Sequence, residues 1–158
     1  MPGITGSGVL LQTFIKDHDT VKAYISNTKG NARKGQGGIP FKEKVVGMHG
    51  YYSYNLLEDD TARLLIVFKR NDTIISTTDF KIKGNGKQQS YAPFTFPISM
   101  SKVPDTLIIE ASLKSYLSSP GRKEGSYIAF DSLYFIGIGK LIPIPNGNFE
   151  DWVLHRKN

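Results

Sequence analysis

The chain of 158 residues contains no cysteine. That absence excludes a disulfide framework, a thiolate zinc site and a cysteine nucleophile. Long apolar runs are missing as well. None approaches the roughly 20 residues that a helix needs to cross a bilayer, so no membrane span is expected. Residues 1–8 lack the charged and apolar stretches of a secretory leader, and no signal peptide is expected at this start. The three histidines, His18, His49 and His155, have no partner at the i+2 or i+4 spacing that a zinc site would use. There is neither a G-x-S-x-G nucleophile elbow nor a glycine-rich phosphate loop opening a helix. The glycine-rich stretch 30–38 lacks the strand-to-helix context and reads as a mobile loop. An amphipathic helix and an internal repeat are also missing.

What remains is a strand pattern with a moderate positive charge. Hydrophobic residues make up 39% of the chain, enough for one core in a chain of this length. Subtracting 14 acids from 20 bases leaves a net charge of +6, spread along the chain. It permits an acidic partner without demanding one. Residues 61–69 put Ala62, Leu64, Ile66 and Phe68 on one face and Leu65 and Val67 on the other, which predicts a strand buried on both faces. Residues 73–83 alternate as a half-buried strand, and residues 70–72 between the two read as a hairpin turn. Residues 91–98 alternate Ala92, Phe94, Phe96 and Ile98 against Pro93 and Pro97, which predicts an edge or bulged strand. Residues 105–113 and 126–136 complete the clear set. Residues 9–15, 20–26 and 50–56 are weaker candidates. The expected fold is all-β, a jelly-roll-like antiparallel β-sandwich of about eight or nine strands.

Two residue classes could carry chemistry. Exposed tyrosine and tryptophan rings pack on the C–H faces of sugars while hydroxyls take hydrogen bonds. Tyr52 and Tyr54 share one face of their strand and Tyr51 takes the other, so one set cannot be core. Tyr91, Tyr116 and Trp152 sit near strand ends or loops. These six are the candidate ligand-binding residues. Asp131 falls on a face with Tyr127, Ala129, Leu133 and Phe135, and a carboxylate there needs a partner. Ca²⁺, backbone amides or a basic side chain would each serve. A glycan hydrolase would require paired carboxylates, and Glu110 with Asp79 is the pairing the strands offer. Lys29, Arg33, Lys34, Lys42 and Lys44 could meet an anionic polymer. The stacking aromatics of single-strand nucleic-acid binders are absent there, so nucleic acid is not the expected partner.

Five phrases occur in order: Gly37-Gly-Ile-Pro-Phe41, Gly50-Tyr-Tyr-Ser-Tyr54, Pro93-Phe-Thr-Phe-Pro-Ile98, Pro104-Asp-Thr-Leu-Ile-Ile-Glu110 and Gly125-Ser-Tyr-Ile-Ala-Phe-Asp-Ser-Leu133. Together they resemble the carbohydrate-metabolism domain of surface and exported proteins of gut-type Gram-negative bacteria, a jelly roll similar to carbohydrate-binding modules. The resemblance covers about residues 8–137. It implies export to the cell surface or periplasm, association with a polysaccharide or other glycan, and no catalysis of its own. A structural spacer or adhesin sandwich without a small ligand is the alternative.

Ile144-Pro-Asn-Gly-Asn-Phe-Glu-Asp-Trp152 resembles the phrase that opens such domains, yet here it follows the closing strand. In related modules the opening Glu and the closing Asp share a structural Ca²⁺, and the matching positions are Glu150 and Asp131. The second acid usual after Asp131 is Ser132 here. The expected organisation is a sandwich over residues 1–143, with residues 144–158 either completing it or starting a following domain. If the segment completes it, residues 146–154 should add as a strand beside the one holding Asp131. They could do so within the chain or by exchange with a neighbouring copy.

Overall fold

A computed structural model describes residues 8–12, 15–16, 19–20, 23–58, 60–84, 86–114 and 126–145. Among the described residues twelve strands follow one another: β1 (Val9–Gln12), β2 (Ile15–Lys16), β3 (Asp19–Thr20), β4 (Ala23–Ser26), β5 (Ile39–Pro40), β6 (Gly47–Leu56), β7 (Thr61–Arg70), β8 (Thr73–Lys83), β9 (Gly86–Pro97), β10 (Thr106–Lys114), β11 (Tyr127–Ile136) and β12 (Leu141–Pro143). The sole helical element among the described residues is a 3₁₀ turn, Ala32–Lys34.

All ladders are antiparallel, and all but one of them form two five-stranded sheets. The first runs β1-β11-β6-β9, with β12 continuing along the β11 edge beyond β1. The second runs β4-β10-β7-β8, with β5 continuing along the β10 edge beyond β4. Between β1 and β11 the main strands change sheet at every step except the β7–β8 hairpin. This is jelly-roll order, as the residue pattern predicts. β2 and β3 pair separately as a small ladder.

Period-two alternation builds the core between the sheets. Ala62, Leu64, Ile66 and Phe68 of β7 all point inward and are buried. They meet Met48 and Leu56 of β6, Phe94 and Phe96 of β9, and Ile128, Phe130 and Phe135 of β11. Two ring clusters join the sheets. Phe68 and Phe135 sit 5.4 Å apart with Phe41 against both. Phe80 stacks on Phe94 and Phe96 at 5.4 and 4.7 Å. Such pairs add about 0.5–1.5 kcal/mol each beyond their buried area. Gly50 faces inward, where an added Cβ would stand 2.4 Å from Leu133 and 3.0 Å from Phe94.

The turn at Asn71 and Asp72 takes positive φ at both residues, +50° and +59°, the two-residue type I′ geometry that suits strand twist. Pro93 and Pro97 face outward on β9, an edge strand, where their missing N–H groups cost no ladder bond.

Two expectations need correction. A β-bulge between Asp131 and Tyr134, with Ser132 at φ +49°, shifts the phase of β11. Leu133 and Phe135 therefore face the core, while Asp131 shares the outer face with Tyr127 and Ala129. The stretch read as a mobile loop is instead an ordered cover. Ala32 packs with Leu65, Val67 and Ile108 on the outer face of the second sheet. Asn31 caps the 3₁₀ turn through Lys34 N–H, and Gly35 closes it at φ +67°. The Thr28 hydroxyl donates to the Gln36 carbonyl at 2.6 Å. Leu65 and Val67 are buried on their own side because this segment lies over them.

The β11 edge opposite β6 is held by β1 along 127–130 and by β12 along 134–136. Ile144, next after β12, is buried in the core. Residues 146–154 lie outside the described residues.

Candidate functional site

The outer face of the first sheet gathers the exposed rings. On β6 the even positions Met48, Tyr52, Tyr54 and Leu56 pack against the core, so His49, Tyr51, Ser53 and Asn55 face out. The register sets His49 between Thr95 of β9 and Tyr134 of β11, and Tyr51 between Pro93 and Asp131. The His49 ring lies 4.9 Å from Tyr134 and 5.5 Å from Tyr51, the latter edge-on. His49 Nδ1 and Thr95 Oγ1 share a 2.7 Å hydrogen bond whose direction follows the imidazole tautomer. The result is a half-buried ridge, Tyr51–His49–Tyr134, crossing two strands. Beyond it the face turns apolar, through Pro97, Ile136, Leu141 and the hairpin tip at Ile138, which is 78% exposed. No charged side chain stands on the ridge itself.

Asp131 closes one end of this ridge. Its carboxylate is fully buried and accepts the Ser132 N–H at 2.7 Å. Tyr91 reaches toward it from β9, where the β6–β9 register shifts between Tyr52 and Tyr54. A Cβ on Gly8 would stand 2.5 Å from the Tyr91 hydroxyl and 3.5 Å from Asp131 Cβ, so a larger side chain there would have to displace the Tyr91 ring. The Tyr91 hydroxyl is buried without a hydrogen-bond partner among the described residues. Burial first, and the Asp131 charge second, push its pKa above the usual 10.0.

The structure thus divides the sequence-derived tyrosines. Tyr51 is on the ridge and Tyr91 beside its acidic end. Tyr52 and Tyr54 face inward, 5.2 Å from each other, with Tyr52 5.1 Å from Phe94. Burial, then the neighbouring Tyr54, raises the Tyr52 pKa. Tyr116, Trp152 and Glu150 lie outside the described residues, as do His18 and His155. His49 and Tyr134 were not among the candidates. Alternation along residues 47–56 would have put His49 beside Tyr51, but only the ladder brings Tyr134 to it. Among the described residues no three His, Cys, Asp or Glu side chains gather as a metal site.

The carboxylates Glu110 and Asp79 share the outer face of the second sheet, on either side of Leu65. Leu65 carries Ala32 above it, so the covering segment occupies the space where a cleft would open. Asp79 is held by Arg63 at 2.7 Å, Arg33 at 3.3 Å and Lys81 at 3.7 Å. The Arg63 contact is a close ion pair rather than a linear hydrogen bond.

No family model and no curated protein sequence matches the chain. Among solved structures it is similar to a "putative glycoside hydrolase" from Bacteroides thetaiotaomicron, at TM-score 0.53 and 14% identity over 83% of this chain. The chain spans about half of that protein, 53% of its length. An arabinose-bound α-L-arabinofuranosidase aligns at TM-score 0.36 and 11% identity, over 73% of this chain and 17% of that one. A structure of infectious bursal disease virus aligns at 0.36 and 10%, over 84% and 32%. The first likeness bears on the sandwich fold, and the other two carry no argument. Among the described residues no helix is long and apolar enough to cross a membrane.

Proposed function

We propose that this chain is a non-catalytic glycan-binding module whose platform is the outer face of the first sheet. The contiguous ridge Tyr51–His49–Tyr134 carries the proposal. Its rings offer π faces to sugar C–H groups, and the tyrosine hydroxyls with Thr95 offer hydrogen bonds. A ridge that carries no charged side chain, beside a carboxylate that is itself buried, suits a neutral polysaccharide. The fold likeness to a protein described as a glycoside hydrolase agrees with a glycan setting. Placement at the cell surface or in the periplasm belongs to the same reading, since polysaccharides are met there.

Affinity gels containing neutral polysaccharides (xylan, arabinan, galactan, β-glucan) test it. The intact chain should be retarded by at least one. Tyr51→Ala with Tyr134→Ala should weaken that retention by about tenfold, at roughly 0.5–1.5 kcal/mol per ring. A folded chain retained by none of them would contradict the proposal.

A structural Ca²⁺ held by Asp131 and Glu150 is a separable part of this reading. Asp131 offers a buried carboxylate, the hard oxygen donor that Ca²⁺ prefers. Its role would be to stabilise the fold, by the mass action of any ligand that binds only the native state. EDTA should then lower the melting temperature. Identical melting curves with and without EDTA would remove the metal and leave the ridge untouched.

A further inference from the structure

The second sheet presents a different outer surface at its β7–β8–β10 end, away from the Ala32 cover. Arg63 on β7 is directly opposite Lys81 on β8, and one step further Thr61 stands between Lys83 and Lys114. Like charges directly opposite across a ladder destabilise it unless something answers them. Asp79 is the carboxylate that answers Arg63 and Lys81, and it also faces Arg33, three bases in all. Lys81 is the loosest of the three at 3.7 Å, and both its side chain and that of Lys83 are exposed. The row of Arg63 ends, beyond Ser112, at Tyr24 of β4, whose ring is 61% exposed. Positive charge and an exposed aromatic ring therefore share one surface, on the opposite side of the sandwich from the ridge.

We infer that this surface is a second binding site, for a polysaccharide carrying carboxylates or sulfates. Lys81, Lys83 and Arg63 would meet the anions, with Arg63 able to bind a carboxylate or sulfate through two N–H groups. Tyr24 would pack against a sugar face. A single ring beside the bases favours a sugar polymer over single-stranded nucleic acid, whose binders interleave several rings with the charges. The inference stands independently of the ridge, since no residue is shared.

The test uses the full chain in affinity gels with polygalacturonate, with the same polymer fully methyl-esterified as the uncharged control. Retention by polygalacturonate should be clear at about 50 mM salt and weaken roughly tenfold by about 200 mM. The methyl ester should not retain the chain. Lys81→Gln with Lys83→Gln, both at exposed positions, should weaken retention about fivefold, whereas Tyr51→Ala with Tyr134→Ala should leave it unchanged. No retention at low salt, equal retention by the methyl ester, or indifference to the lysine changes would overturn the inference. So would equally tight binding of single-stranded DNA, which would mark a general polyanion surface. Loss of binding in the ridge variant would assign the polymer to the first sheet instead.

Discussion

The two outer faces of this sandwich come from the same alternation yet differ in what lies on them. On the first sheet the outward positions of β6 and β11 are mostly rings, hydroxyls and small residues, with the buried Asp131 at one end and Ile136 at the other, and the half-buried rings contact each other. On the second, Leu65, Val67 and Ile108 are hidden under the 27–38 segment, and the uncovered part carries Arg63, Asp79, Lys81 and Lys83 with Thr61, Ser112 and the exposed Tyr24. The difference teaches how an apolar outer position should be read. Leu65 and Val67 are covered by the chain's own loop, whereas Tyr51 and Tyr134 have no such cover among the described residues, as the proposed glycan platform requires.

The change with the largest expected effect attacks the cover. Ala32→Asp puts a charge among Leu65, Val67 and Ile108 and should cost about 2 kcal/mol or more in urea unfolding. Retention by a neutral polysaccharide should survive it, because the ridge is on the other sheet. A variant as stable as the parent would mean that the segment does not seal that face.

Tyr91→Phe sharpens the other side of the comparison. It removes a buried hydroxyl that has no partner among the described residues, so stability should stay level or rise by about 1 kcal/mol. A clear loss in urea unfolding would show that the hydroxyl holds Asp131 in place.

The smallest effect is a pH asymmetry between the sheets. Asp105, at the turn end of the second sheet, accepts the Asn71 N–H at 2.7 Å and the Thr106 hydroxyl at 2.8 Å. Those bonds, then the Arg70 and Lys69 charges, hold its pKa below the usual 3.8. Its folded-state pKa is depressed, so its contribution is present above 3.8 and lost as pH falls through the lower folded value. Tyr91 works in the opposite direction. Its pKa is raised because the folded state disfavours the ionised hydroxyl, so stability is level below 10.0 and falls as pH rises from there through the higher folded value. In thermal melts Asp105→Asn should narrow its gap to the parent at acid pH and leave the alkaline limb unchanged. A parallel offset at all pH values would contradict the assignment.

Much of this was legible in the residues. Four inward residues on β7, the Arg70–Asp72 turn and the proline-bearing edge strand follow from alternation and from what proline cannot donate. Four of the five ordered phrases fall on β6, β9, β10 and β11. The site was less legible, for two physical reasons. Ser132 adopts positive φ without being glycine, and that bulge moved Asp131 to the outer face. The ridge depends on ladder register, and nothing local to His49 announces Tyr134 as its neighbour. The loop cover could have been inferred from Ile108, Leu65 and Val67, three apolar residues pointing away from the core.

The central claim is that a neutral glycan lies on the Tyr51–His49–Tyr134 ridge. Amide NMR shifts of the full chain, titrated with an oligosaccharide from the neutral polymer that retains it, test this most directly. The account predicts saturable shifts at Tyr51, His49, Thr95 and Tyr134, with β7 and β8 unmoved. Shifts centred on β7 and β8, or none at all, would contradict it.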